Sequence, residues 1–185
     1  SVSKVFTGIS VMLLHQDGYL NIDDSVHWYL PELKRKNLSI RNLLSHTSGL
    51  PDYFYFNMKA WENPKDHLTN DDVVQLLNAQ PVNHFAKPGR YDYCNSNYAL
   101  LALIVERQTG MDFREFVKLR IMNPSGMKYS HLANFDTLGL VNYTVQGYDK
   151  KRVFADNVFN GAMGDKGVYS NVFEMLAIDR MLRTD

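Results

Sequence analysis

Between Asn97 and Thr109 the chain is apolar on nearly every side of a helix, with Ala99, Leu100, Leu101, Ala102, Leu103, Ile104 and Val105 in one unbroken run. A helix with one apolar stripe needs a single covering layer, whereas one that is apolar all round must be enclosed by other elements. Gly110 follows it as a left-handed C-cap. The run falls far short of the ~20 residues that cross a bilayer, so no membrane span is expected and the helix becomes the centre of a globular core. The chain can supply the enclosure: it has 185 residues, 45% of them hydrophobic. A globule of that size hides roughly 70% of the surface its unfolded chain exposes, and such apolar content argues against disorder.

The enclosing elements read as mostly helical. A first helix runs from about Ser3 to Gln16, with Val5, Phe6, Ile9, Met12 and Leu13 on one face and Gly18 as terminator. Ser39 is placed to cap a short helix through Leu43 and Leu44, ended by the turn His46-Thr47-Ser48-Gly49. Thr69 with Asp72 has the form of a capping box. Asp112 with Glu115 opens a further helix that Pro124 closes, and Ser170 or Asn171 caps the last one. Thr144–Tyr148 and Arg152–Ala155 are predicted to pair as a hairpin around Asp149-Lys150-Lys151. The expectation is a mainly α chain: about six helices plus a small β-hairpin, in one domain over residues 1–185 without a linker.

Composition narrows the function. Lys+Arg and Asp+Glu are equal at 20 each, which argues against a binder of nucleic-acid phosphates. One cysteine, Cys94, excludes an internal disulfide framework and a cysteine-rich zinc site. His15, His27, His46, His67, His84 and His131 form no His-x-x-x-His pair, so no metal site is expected. Gly161-x-x-Gly164-x-x-Gly167 lacks the dinucleotide spacing and reads as a loop. No cofactor is implied. Asn37-Leu38-Ser39 and Asn142-Tyr143-Thr144 match a glycosylation pattern that chance explains.

Two constellations carry chemistry. In Ser1-Val2-Ser3-Lys4 the first and fourth residues share a helix face, so the hydroxyl and the amine can approach each other. A serine needs a neighbouring base to become a nucleophile; lysine serves if burial and the positive helix end favour its neutral form. In Tyr93-Cys94-Asn95 the phenol can relay a proton, and the carboxamide can hold a substrate amide by donor and acceptor. Each motif alone has an ordinary reading: a capping serine with a solvated lysine, and a loop tyrosine beside a helix cap.

Together and in this order they resemble the class C β-lactamases and their relatives, the penicillin-binding DD-peptidases and serine esterases. The resemblance runs from Ser1-Val2-Ser3-Lys4-Val5-Phe6-Thr7 through Gly18-Tyr19-Leu20, Asp23-Asp24 and Tyr29-Leu30-Pro31-Glu32. It continues in Ile40-Arg41-Asn42-Leu43-Leu44-Ser45-His46-Thr47-Ser48-Gly49-Leu50-Pro51-Asp52-Tyr53, Pro88-Gly89 and Tyr93-Cys94-Asn95-Ser96-Asn97-Tyr98. Asn123-Pro124-Ser125-Gly126-Met127 and Gly164-Asp165-Lys166-Gly167-Val168-Tyr169-Ser170 complete it. It implies that Ser1 is the acylated nucleophile, Lys4 its proton acceptor, Tyr93 the general acid/base and Asn95 the binder of the substrate amide. His46 is expected to be structural, fixing the turn after its helix. The implied location is periplasmic or secreted.

Three departures from the family pattern stand out. The stretch from Pro88-Gly89 to Tyr93 is one residue short, Cys94 stands where serine is commoner, and the family's Lys-Thr-Gly or His-x-Gly motif does not follow Tyr93. Lys87-Pro88-Gly89 precedes Tyr93 and reads as a turn. The chain is therefore expected to be the helical portion of the α/β β-lactamase/transpeptidase-like fold, truncated at both ends and nearly inactive alone. A missing sheet would leave an apolar face around Phe6, Ile9, Phe173 and Ile178, open to self-association. The leading function is a serine hydrolase forming an acyl-enzyme with a β-lactam, a D-alanyl peptide or a small ester. A non-catalytic penicillin-binding or sensing module stands beside it. An N-terminal-nucleophile hydrolase is disfavoured, because that fold begins with a strand.

Overall fold

A computed structural model describes residues 1–56, 67–133, 148–149, 152–153 and 157–183. Its centre is helix α4 (Asn95–Thr109), whose residues from Ala99 to Val105 are all buried. Helix α1 (Ser3–Gln16), α2 (Ile40–Leu44), α3 (Asn70–Ala79) and α5 (Phe113–Val117) pack around it. The last helix is α6 (Val172–Met181). Among the described residues there are six α-helices, the enclosed central one among them, as the sequence leads one to expect.

The local signals act as read. Gly18 and Gly110 take φ of 79° and 66° and stop α1 and α4. Ser39 with Asn42, and Thr69 with Asp72, form capping boxes that satisfy the first N–H groups of α2 and α3. Asp112 accepts from the Arg114 and Glu115 N–H groups, and α5 widens into a π-helical turn over Lys118–Met122 before Pro124. Asn171, rather than Ser170, caps α6. Helix α4 starts at Asn95 with no side-chain cap, so neither Asn95 nor Ser96 acts as one.

Strand is sparse among the described residues. Tyr148–Asp149 (β2) pairs antiparallel with Arg152–Val153 (β3), the core of the predicted hairpin. Thr144 and Ala155, its predicted ends, lie outside the described residues, as does the Asn142 glycosylation pattern. A second antiparallel pair joins His131–Leu132 (β1) to Val168–Tyr169 (β4), in register His131 to Tyr169 and Leu132 to Val168. Two residues per strand are too few to show an alternating pattern.

Helix α1 departs from its predicted facing. Phe6, Val11 and Leu14 point inward together with Ser3, Lys4, Thr7 and Ser10, whereas Val2, Val5 and Met12 are exposed. In α6, Ile178 and Glu174 are buried while Val172, Phe173, Leu176 and Leu182 face out. The apolar surface expected around Phe6, Ile9, Phe173 and Ile178 is thus only partly correct, because Phe6 and Ile178 belong to the core. Small hydroxyls face inward on α1 because the segment 164–168 lies against them. Thr7 Oγ1 donates to the Gly164 carbonyl at 2.6 Å, and Ser3 Oγ accepts from the Val168 N–H at 3.1 Å.

That segment explains the spaced glycines. At Gly164, with φ of 97°, a Cβ would lie 2.3 Å from the Tyr98 carbonyl oxygen and 2.6 Å from Ala102 Cβ. At Gly161 and Gly167 it would meet the backbone oxygens of Leu68 and Ala133 at 2.5 and 2.7 Å. The three are places of close backbone approach. Gly164→Ala is expected to cost at least about 2 kcal/mol of unfolding free energy, through both overlap and positive φ. Urea denaturation measures it, and a loss below about 0.5 kcal/mol, the range of a neutral surface change, would mean the segment does not seat on α4.

Candidate active site

The start of α1, the start of α4 and the segment around Asp165 converge on one cluster. Ser1 sits before α1, and its carbonyl accepts the Lys4 N–H at 3.1 Å, closing the first turn. The hydroxyls of Ser1 and Tyr93 share a hydrogen bond of 2.7 Å. Lys4, only 7% exposed, donates from Nζ to Asn95 Oδ1 at 2.7 Å and to the Asp165 carbonyl at 3.0 Å. Its Nζ lies 5.0 Å from the centre of the Tyr93 ring and 5.6 Å from that of Tyr98. All four residues singled out from the sequence, Ser1, Lys4, Tyr93 and Asn95, therefore meet. The partner of the Ser1 hydroxyl is the phenol, and the amine is held by an amide and a backbone oxygen.

The turn after α2 sets where Tyr93 stands. His46 takes φ of 55°, and the chain beyond it binds the segment 86–92. The Ala86, Gly89 and Asp92 N–H groups donate to the carbonyls of Gly49, Thr47 and His46 at 2.8, 2.9 and 2.8 Å. Gly49, with φ of 69°, has no room for a side chain, since a Cβ would lie 2.4 Å from the Ala86 oxygen. Lys87-Pro88-Gly89 forms part of this connection, as its reading as a turn anticipated. Although the connection is one residue short of the family pattern, it brings the Tyr93 hydroxyl within bonding distance of Ser1.

His46 serves this geometry as a structural residue. Its Nδ1 accepts from the Cys94 N–H at 3.1 Å and from Asn97 Nδ2 at 3.3 Å, and its ring lies 4.5 Å from that of Tyr93. Burial first, and the Lys4 charge second, hold its imidazole below the ordinary value of 6.5. That favours the unprotonated Nδ1 which two donors require. Cys94 beside it is 2% exposed, and burial pushes its thiol up to about 11, as suits a space-filling residue.

Asn95 is more committed than its motif implies. With Oδ1 on Lys4, its Nδ2 donates to Asp52 Oδ2 at 2.8 Å and its own N–H to the same oxygen at 2.9 Å. Nδ2 keeps a second hydrogen and Oδ1 a second lone pair, so both the donor and the acceptor read from the motif remain. Asp52, Tyr53 and Asp165 received no role from the sequence. Asp52 had a local signal, two residues before Phe54, whose N–H it accepts at 3.0 Å. Tyr53 and Asp165 had none, because they meet across 112 positions.

Comparison with known proteins shows the relatives of this chain. The family model described as Beta-lactamase matches residues 1–182. The chain is 37% identical to penicillin-binding protein 4* of Bacillus subtilis (strain 168), over 72% of its own length and 30% of that protein's. It is 32% identical to a D-aminopeptidase of Brucella anthropi, over 98% of its length and 35% of that protein's. A solved penicillin binding protein from Bacillus halodurans superposes with a TM-score of 0.79 at 31% identity, over 97% of this chain and 56% of that one. The chain thus spans about a third of the curated relatives it matches.

Two outcomes are expected. At about pH 8, iodoacetamide should alkylate folded Cys94 on the order of 10²-fold more slowly than the urea-unfolded chain, read by mass spectrometry; equal rates would contradict a buried, protonated thiol. For His46, a pKa lower in the folded state means that the unfolded chain binds its proton first. Stability is therefore lost as pH falls below about 6.5. Relative to His46→Asn, which accepts the positive φ but does not titrate, the unfolding free energy should fall between about pH 7 and about pH 5. Parallel curves would contradict it.

Proposed function

This chain belongs to the beta-lactamase family, and we propose that it carries the acylation centre of a serine hydrolase, with Ser1 as nucleophile. The observation that carries this reading is the Ser1–Tyr93 hydrogen bond of 2.7 Å beside the buried Lys4 amine. Ser1 Oγ attacks the substrate's carbonyl carbon. Its proton leaves toward Tyr93, the group it touches, with the Lys4 amine behind the phenol as the final acceptor. The carbonyl carbon then releases its nitrogen or oxygen leaving group, which takes the proton back through the Tyr93 hydroxyl. Water attacks the resulting ester and frees Ser1. Asn95 directs the second hydrogen of Nδ2 at the amide carbonyl of the acyl group.

The relatives' names, penicillin-binding protein and D-aminopeptidase, support a β-lactam or an amide of a D-amino acid as substrate, with a small ester as the third class. Such substrates support a periplasmic or secreted location. A non-catalytic penicillin-binding module would keep Ser1 acylation but not its hydrolysis.

Fluorescent penicillin or a fluorophosphonate, given to the intact protein, should label Ser1, with the adduct located by peptide mass. Labelling elsewhere, or equal labelling of Ser1→Ala, would end the assignment. Lys4→Arg keeps the charge but removes the base, since guanidinium does not deprotonate in proteins. Acylation should fall at least ~10²-fold. Near-normal labelling would mean that the proton stops at another group and that Lys4 contributes charge alone.

A further inference from the structure

Lys4 is a buried amine whose hydrogen bonds go to two uncharged oxygens, Asn95 Oδ1 and the Asp165 carbonyl. An amine that takes a proton away from water needs negative charge close by. Here that charge stands one bond further out, on both sides. Asp52 Oδ2 binds the N–H and Nδ2 of Asn95 at 2.9 and 2.8 Å. The Asp165 carboxylate, its side chain 1% exposed, accepts from the Tyr53 hydroxyl at 3.0 Å and faces Lys166 Nζ at 3.3 Å. Lys166 also donates to the Tyr53 hydroxyl at 2.6 Å, so the phenol bridges ammonium and carboxylate.

The two outer holders are consecutive residues. Asp52 caps the 3-10 turn Tyr53–Tyr55 through the Phe54 N–H, and the Tyr53 N–H is bound in turn by Ser96 Oγ of α4 at 2.9 Å. One turn, fixed to the central helix, therefore bonds to both residues whose oxygens hold the amine. We propose that Asp52 and Tyr53 are positioning residues for Lys4: Asp52 locks the Asn95 carboxamide, and Tyr53 with Lys166 locks the Asp165 peptide, fixing the amine beside Tyr93. The proposal rests on the reading of Lys4 as the amine of the acylation centre.

The groups facing Lys4 are Tyr93 and Tyr98 through their rings, His46 from the turn after α2, Asp52 through Asn95, and Asp165 and Lys166 from the segment before β4. Burial lowers the Lys166 pKa and the Lys4 charge lowers it further, while Asp165 raises it. The two lysines feel each other, and Lys166 is held to Asp165 both directly, at 3.3 Å, and through the Tyr53 hydroxyl.

Tyr53→Phe tests this with the smallest change, because it removes the bridging hydroxyl and keeps the ring stacked on Phe54 at 4.6 Å. In the intact protein, the limiting rate of acylation by fluorescent penicillin should fall about 10–100-fold, the scale of a small misplacement. The reagent concentration giving half that rate should not change, and the pH profile should shift. The Lys4 Nζ titration, followed by NMR in 15N-lysine protein and assigned with Lys4→Arg, should move its midpoint as well. Asp52→Asn should move both readouts, with Asp52→Glu recovering part of the loss. Should Tyr53→Phe fail to fold, Lys166→Met, at a partly exposed side chain, severs the same bridge.

A lower melting temperature with unchanged acylation and an unmoved Lys4 midpoint would show a merely structural network and overturn the proposal. A shifted midpoint in a protein whose Ser1 never acylates would uphold the positioning role and overturn the acylation reading instead.

Discussion

The buried amine of Lys4 is the tie on which the rest depends. Its two hydrogen bonds join three separate parts of the chain: α1, which carries it, the start of α4, which carries Asn95, and the segment holding Asp165. A hydrogen bond contributes about 0.5–1.5 kcal/mol when made, and a buried polar group left unmatched costs about 1–3 kcal/mol. The three segments are therefore held in one arrangement or not at all. The same tie leaves the Ser1 hydroxyl beside the Tyr93 phenol, where the proposed chemistry begins.

Close approach is the second constraint, and it inverts α1. A helix packed only for its core would turn Val5 and Met12 inward; this one turns Ser3, Thr7 and Ser10 inward and leaves those two exposed. Small hydroxyls let the segment 164–168 lie directly on the helix and bond to it, and glycine at 164 lets that segment touch α4 at Tyr98 and Ala102. Exposed apolar area on α1 is the consequence of a polar, tightly approached inner face. The site and the facing of the helix are one solution to the same packing problem.

Much of this was legible in the sequence where its cause is local. The all-round apolar run dictated an enclosed α4, and the cap at Ser39, the capping box at Thr69 and the glycines at 18 and 110 dictated helix ends. The four site residues were legible as two ordered motifs. What escaped was non-local. The rotation of α1 depends on a segment about 160 residues away, and the pairing of β1 with β4 involves too few residues to leave a pattern. The parts given to Asp52, Tyr53 and Asp165 follow from contacts between segments. Motif reading found the four residues that meet, and the fold was needed to find the groups bonded around them.

If Ser1, Lys4, Tyr93 and Asn95 form one acylation centre, they fail together. The direct measurement is a double-mutant cycle on the rate of Ser1 acylation in the intact protein, using Lys4→Ala, Tyr93→Phe and the pair. Groups that act as a unit are strongly non-additive, so the double variant should lose little more than the worse single one. A double variant whose loss equals the product of the two single losses would show that the amine and the phenol act independently, and would contradict a shared proton path.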